Sequence, residues 1–145
     1  HFRIRVGAQQ DLDAAIDAAL RRLAEQSGIA TDLDIQGDGA PLDPQSETQL
    51  LYIVQEALSN VRKHADAHTV TVLLRRGLEG LSVTVRDDGV GFDPEHPADD
   101  GQAHIGLQIM KERAAGIGAQ FFVRSSRGKG TEIRLDLHRK QEETA

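Results

Sequence analysis

Leu81, Val83 and Val85 alternate with Ser82, Thr84 and Arg86, and the alternation runs out into Asp87-Asp88-Gly89-Val90-Gly91-Phe92. A period of two marks a strand with one buried face. Asp87 has the parity of the apolar residues, so the row that faces a core ends in a carboxylate. A carboxylate at the buried end of such a row needs a donor. A ligand's amino group, a structural hydroxyl or a water would each serve. Gly89 and Gly91 then free the backbone and permit a close approach to it. Asp-Gly also makes ordinary turns, so the meaning of this segment depends on the rest of the chain.

The chain has 145 residues, enough for one domain with a real core. Its apolar share of 39% excludes disorder by composition. A net charge of -6 argues against a nucleic-acid module, which needs a basic footprint. With no cysteine, disulfide frameworks and thiolate metal sites are excluded. No apolar run approaches the roughly 20 residues needed to cross a bilayer, and no signal peptide is visible. The start at His1-Phe2-Arg3 reads as a fragment of a longer protein.

Leu12, Ile16, Leu20 and Leu23 recur at helical spacing, with Gly28 as a stop. Ile29 to Ile35 alternates as a strand, and Gly37 to Pro41 is a loop. Asp43-Pro44 is a helix start, and the helix runs to about Ala65. Val70, Val72 and Leu74 form a strand that makes a hairpin with the Leu81 row through Gly77 to Gly80. From Asp88 to Ile105 the periodicity disappears, and a loop of that length is functional or mobile. A helix from about Gly106 to Ile117, a strand Gln120 to Ser125, a turn at Arg127-Gly128-Lys129-Gly130 and a strand Thr131 to Leu137 complete the chain. The economical architecture is α+β: one helical layer on a mixed, mostly antiparallel sheet of about five strands.

The chemistry-bearing residues gather in four places. Glu56, Asn60, Lys63 and His64 follow at three- and four-residue spacing, on overlapping faces of one helix. A carboxylate and a carboxamide suit a hard divalent ion that also touches phosphates, and a lysine suits phosphate. A solvated face with a polar i,i+4 pair would read the same way. Asp87 with Gly89 and Gly91 is the second place. His104-Ile105-Gly106-Leu107, at a helix start, is the third, where free amides form an anion site. Gly128-Lys129-Gly130-Thr131 is the fourth: Thr131 has the parity of Ile133, Leu135 and Leu137, which points its hydroxyl to the side of Asp87.

Together these segments resemble a known family. Glu56-Ala57-Leu58-Ser59-Asn60-Val61-Arg62-Lys63-His64-Ala65 resembles the asparagine box of sensor histidine kinases. Asp87 to Phe92 resembles their first glycine box, Ile105-Gly106-Leu107 with Met110-Lys111-Glu112-Arg113-Ala114 the second, and Gly128-Lys129-Gly130-Thr131 the last. Order and spacing are similar to those of the Bergerat-fold ATPases, which include gyrase, Hsp90 chaperones and MutL. The variants point to the nitrate/nitrite-sensor class.

The resemblance implies a two-layer Bergerat sandwich with about three helices on one sheet face. It divides the chain into a helix that follows a dimerisation segment (1–28), an ATP-binding catalytic domain (29–138) and a tail (139–145). It implies ATP and Mg2+ as cofactors, with Asn60 a metal ligand and Glu56 either holding a metal-bound water or acting as base. Lys63 and His64 would approach phosphate. Asp87 would accept from the adenine amino group, directly and through water with Thr131, while Gly89 and Gly91 would make room for the base. Gly106 and Leu107 would offer amides to phosphate, and about Phe92 to His104 would be a lid. His104 stands where many members have glycine, which leaves less backbone freedom beside the phosphates. Asp88 replaces a common asparagine and would add negative charge near the phosphates.

The implied reaction is phosphoryl transfer to a histidine on a separate dimerisation helix, then onward to a response regulator. The implied location is cytoplasmic, with the parent a membrane-bound sensor and no membrane or nucleic-acid contact by this segment. An anti-sigma-type serine kinase and a nucleotide-binding domain without kinase activity are the alternatives.

Overall fold

The Leu81 row lies in a strand, Gly80–Asp87, at the middle of a five-stranded sheet in a computed structural model. The structure describes residues 8–38, 42–95 and 101–138, with only the backbone of 8–11. Part of the loop expected at 37–41, the middle of the expected lid, residues 1–7 and the tail lie outside these residues.

In chain order the elements are α1 (Ala8–Ser27), β1 (Ala30–Gln36), α2 (Pro44–Asn60), a π turn (Val61–Ala65), β2 (Thr69–Gly77), β3 (Gly80–Asp87), α3 (Gly101–Gly116), β4 (Gln120–Ser125) and β5 (Thr131–His138). The strands lie in the order β1-β2-β3-β5-β4. β1 and β2 are parallel, and the other pairs are antiparallel. This is the α+β arrangement of three helices and five strands that the pattern predicts.

Each parity assignment decides a face. Val70, Val72 and Leu74 on β2, Leu81, Val83 and Val85 on β3, and Ile133 and Leu135 on β5 join one buried cluster with the helices. The opposite face carries charge: Arg86 and Arg124 both reach the Glu132 carboxylate, at 2.6 and 3.0 Å. Ile35 has inward parity yet stays exposed, because β1 is the sheet's edge.

The start of α2 follows from two residues. Asp43 accepts from the Ser46 amide at 3.0 Å and from the Ser46 hydroxyl at 2.7 Å. Pro44 occupies the first turn, where its missing N–H costs nothing. The far end departs from expectation. Helical winding continues to Ala65, but its last turn widens into a π turn that closes on Asp66 in the left-handed region, φ 49°.

α1 belongs to the same core. Leu12, Ile16, Leu20 and Leu23 are all buried in the cluster that holds α2 and the sheet. Arg76 of β2 makes a two-pronged bond to Asp13, at 2.6 and 3.2 Å. Ile16 is fully enclosed. Ile16→Ala should therefore lower stability by about 3 kcal/mol, read as an earlier midpoint in urea unfolding of the whole chain. An appended helix would melt separately and leave the main transition in place.

Candidate functional site

β3 delivers Asp87 to the buried side at the sheet end, where the register sets it directly opposite Thr131 of β5. The Gly89 amide donates to its carboxylate at 2.8 Å. Burial raises the Asp87 pKa above the usual carboxylate value; the Gly89 and Thr131 amides oppose that, and the neighbouring Asp88 charge adds to it. The buried carboxylate thus has only part of the donor set it needs. Thr131 shares a hydrogen bond of 2.8 Å with the Ser125 hydroxyl, which also accepts from the Phe92 amide at 2.9 Å. Ser125 ties the glycine loop to two strands, a role no sequence pattern marked.

A cleft opens beside Asp87 between the sheet, the end of α2 and the start of α3. Asn60, His64, Asp87, Gly91, Leu107 and Thr131, all singled out in the sequence, line it. Its walls are Ala57, Val61, Val85, Phe92, Ala103 and Ile133. A largely apolar slot with few polar groups has the character of a small-molecule site. Apolar walls leave no chemical signature in sequence, so these residues read simply as core.

The other expected residues take different places. Lys63 is exposed and does not line the cleft, nor does the half-buried His104. The π turn accounts for part of this: wider winding changes which side chains after Asn60 follow the α2 stripe. Asn60, which lines the cleft, and Glu56, which does not, both lie under Gly106. A Cβ at Gly106 would stand 2.7 Å from the Glu56 carboxylate and 3.2 and 3.3 Å from the Asn60 carboxamide. Only glycine lets α3 come that close to the pair.

α3 begins at Gly101, five residues before the expected start at Gly106. Gly106 and Leu107 are therefore beyond the four free amides of a helix start, and in this conformation their amides do not form an open anion site. The missed signal was Ala103, buried at helical spacing from Leu107, Met110 and Ala114.

Gly89 also has a nearer reason than a ligand. A Cβ there would lie 2.2 Å from the Ala65 carbonyl, and the Val90 amide donates to that carbonyl at 2.7 Å. The loop thus satisfies the carbonyl where the π turn ends. Gly91 lines the cleft, with its backbone against Ser126 and Gly130.

Asp88 does not load the cleft with charge as expected. Its carboxylate turns to the start of β2 and accepts from the His68 and Thr69 amides, at 2.8 and 2.9 Å. Those bonds, Thr69 first, lower its pKa.

The model of the family described as Histidine kinase-, DNA gyrase B-, and HSP90-like ATPase matches residues 45–141. The chain belongs to this ATPase family. The nitrate/nitrite sensor protein NarQ of Escherichia coli is 33% identical over 138 residues, 94% of this chain and 24% of NarQ. The sensor histidine kinase LiaS of Bacillus subtilis is 42% identical over 137 residues, 94% of this chain and 37% of LiaS. The histidine kinase domain of the blue-light activated kinase of Erythrobacter litoralis EL346 superposes with a TM-score of 0.64 at 26% identity, over 87% of this chain and 64% of that one. The chain thus spans well under half the length of NarQ and LiaS, and corresponds to the ATP-binding catalytic domain of such sensor kinases. Among the described residues no helix is long and apolar enough to cross a membrane.

Asp87 makes a pH prediction. Its folded pKa is raised, so between the ordinary value of 3.8 and the raised one the folded state holds the extra proton. Stability contributed by this group falls as pH rises through that window. Asp87→Asn, which still accepts from Gly89, should raise the melting temperature of the ligand-free domain at neutral pH. The gain should shrink as pH is lowered through the window. An equal or lower melting temperature at pH 7 would contradict the cost assigned to burying this carboxylate.

Proposed function

We propose that this ATPase-family domain binds Mg-ATP in the cleft beside Asp87 and passes the γ-phosphoryl group to a histidine on a separate dimerisation helix. The observation that carries the reading is the buried, partly satisfied Asp87 carboxylate, held opposite Thr131 in the same slot as Asn60. A carboxylate with spare acceptor capacity, walled by apolar side chains, selects a flat ring bearing an amino group. Adenine is such a ring. Phe92, Val85 and Ile133 supply the apolar contact.

The donor set near Asn60 fits a magnesium ion shared with phosphates. Asn60 and Glu56 each bring a hard oxygen close to the Gly106 backbone. Among the described residues no group of three or more His, Cys, Asp or Glu could cage a metal. Magnesium in phosphate sites takes one or two protein ligands and fills the rest from phosphate and water. When bound it would offset phosphate charge. Asn60 would then orient the triphosphate, and Glu56 would hold a water or take the proton released by the attacking imidazole. Such transfer depends chiefly on position and charge neutralisation. His64, also on the cleft, would approach the phosphates. By the same reading the parent is a sensor kinase that holds this domain on the cytoplasmic side of a membrane and passes the phosphoryl group on to a separate response regulator.

Mixing this domain with a separately made dimerisation segment and labelled Mg-ATP should give phosphohistidine on the segment. Asn60→Ala should reduce the label at least about a hundredfold. Intact nucleotide binding with no label on any histidine would leave an ATP-binding domain without this transfer.

A further inference from the structure

Gln49, Tyr52, Glu56 and Asn60 follow at three- and four-residue spacing, so they form one stripe along α2. On α3, Gly106 and Arg113 are seven residues apart, about two turns, and so share a face. The two helices meet along these faces at two points. At one, bare Gly106 backbone sits on Glu56 and Asn60. At the other, the Arg113 guanidinium lies 3.5 Å over the Tyr52 ring and donates from Nη1 to Gln49 at 2.9 Å.

Between these points the contact is apolar. Leu107, Met110 and Ala114 are buried. Apolar packing is non-directional, and methionine in particular adapts to more than one arrangement. Gly106 has no side chain to interlock. At the cleft end buried Ala103 and Leu107 limit how far α3 slides or turns on α2, but by contact without direction they cannot fix it. Arg113 can: a planar cation stacked on a ring and tied to a carboxamide has one good geometry. Arg113 Nε is the only buried side-chain nitrogen or oxygen without a partner among the described residues. Leaving a buried donor unmet is unfavourable, so this guanidinium stays in place by its ring stack and its Gln49 bond.

We propose that Arg113 is a positioning residue: it sets the register of α3 on α2 and so holds Gly106 against the Glu56–Asn60 pair, two turns away. It does not line the cleft. Its effect falls first on the metal and phosphate end of the site, whereas Val85, Asp87, Thr131 and Ile133 at the adenine end come from β3 and β5. The functional consequence rests on the Mg-ATP reading above.

The test compares two ligands. For Arg113→Ala, titration calorimetry should show Mg-ATP affinity reduced at least about fivefold, with binding of ADP in chelator changed less than about twofold. Arg113→Lys should recover only part, since an ammonium neither stacks flat nor forks to Gln49. Tyr52→Leu should reproduce the split if Arg113→Ala proves too unstable to purify. A merely structural role would weaken both ligands alike; that result, or unchanged Mg-ATP binding, removes the proposal. Should the wild-type chain bind neither ligand, the Mg-ATP reading is what fails. The register claim is then decided by NMR: Gly106 and Asn60 signals must move in Arg113→Ala while Thr131 does not, and unmoved signals would sink it.

Discussion

Asp87 opposite Thr131 is the constraint on which the site depends. A carboxylate at the buried end of a strand is unfavourable there unless donors meet it, and the fold meets it only in part. The Gly89 amide turns back onto it, the Thr131 amide also favours its charged form, and the carboxylate lines the cleft with acceptor sites that two amides do not fill. For Gly89 to turn back, the loop must leave β3 against the π turn, where Ala65 leaves no room for a side chain. For Thr131 to stand opposite, β5 must pair with β3 in one register, which the Ser125–Thr131 bond reinforces from β4. One carboxylate thus draws together the ends of three strands and a helix. The stability it withdraws is the physical counterpart of its readiness for a ligand, a common exchange at functional sites.

The second half of the site is helical and is held differently. α2 is anchored at its start by Asp43 and along its length by buried Leu50, Val54 and Leu58. It presents Asn60 as its regular winding ends and the π turn begins, a place where such turns often accompany function. α3 then lies across it with glycine at the contact. The sheet half is rigid by hydrogen bonding. The helical half relies on packing, and one stacked arginine supplies its register.

Much of this was legible in the sequence because two periods dominate it. Parity along β2, β3 and β5 predicts which residues are buried, including Asp87, since a strand's side chains alternate whatever surrounds them. Spacing along α1 and α2 predicts their stripes for the same local reason. The start of α3 was missed because Ala103 is a small residue among Gly, Gln and His, and its burial shows only against the packed helix. Asp88 was misread as a charge facing phosphate because strand parity says nothing of the residue after the strand; its carboxylate followed the nearest free amides, those of His68 and Thr69.

The sequence by itself determined the elements, their order, the inward carboxylate and the four motifs, because each is a matter of local spacing or of residues adjacent in the chain. Tertiary structure alone decided which of those residues meet. It took Lys63 and His104 out of the cleft, gave Gly89 to Ala65 and set Gly106 on Glu56 and Asn60. Those outcomes depend on how a π turn rewinds a helix and how closely two backbones approach, quantities that arise only when distant segments pack.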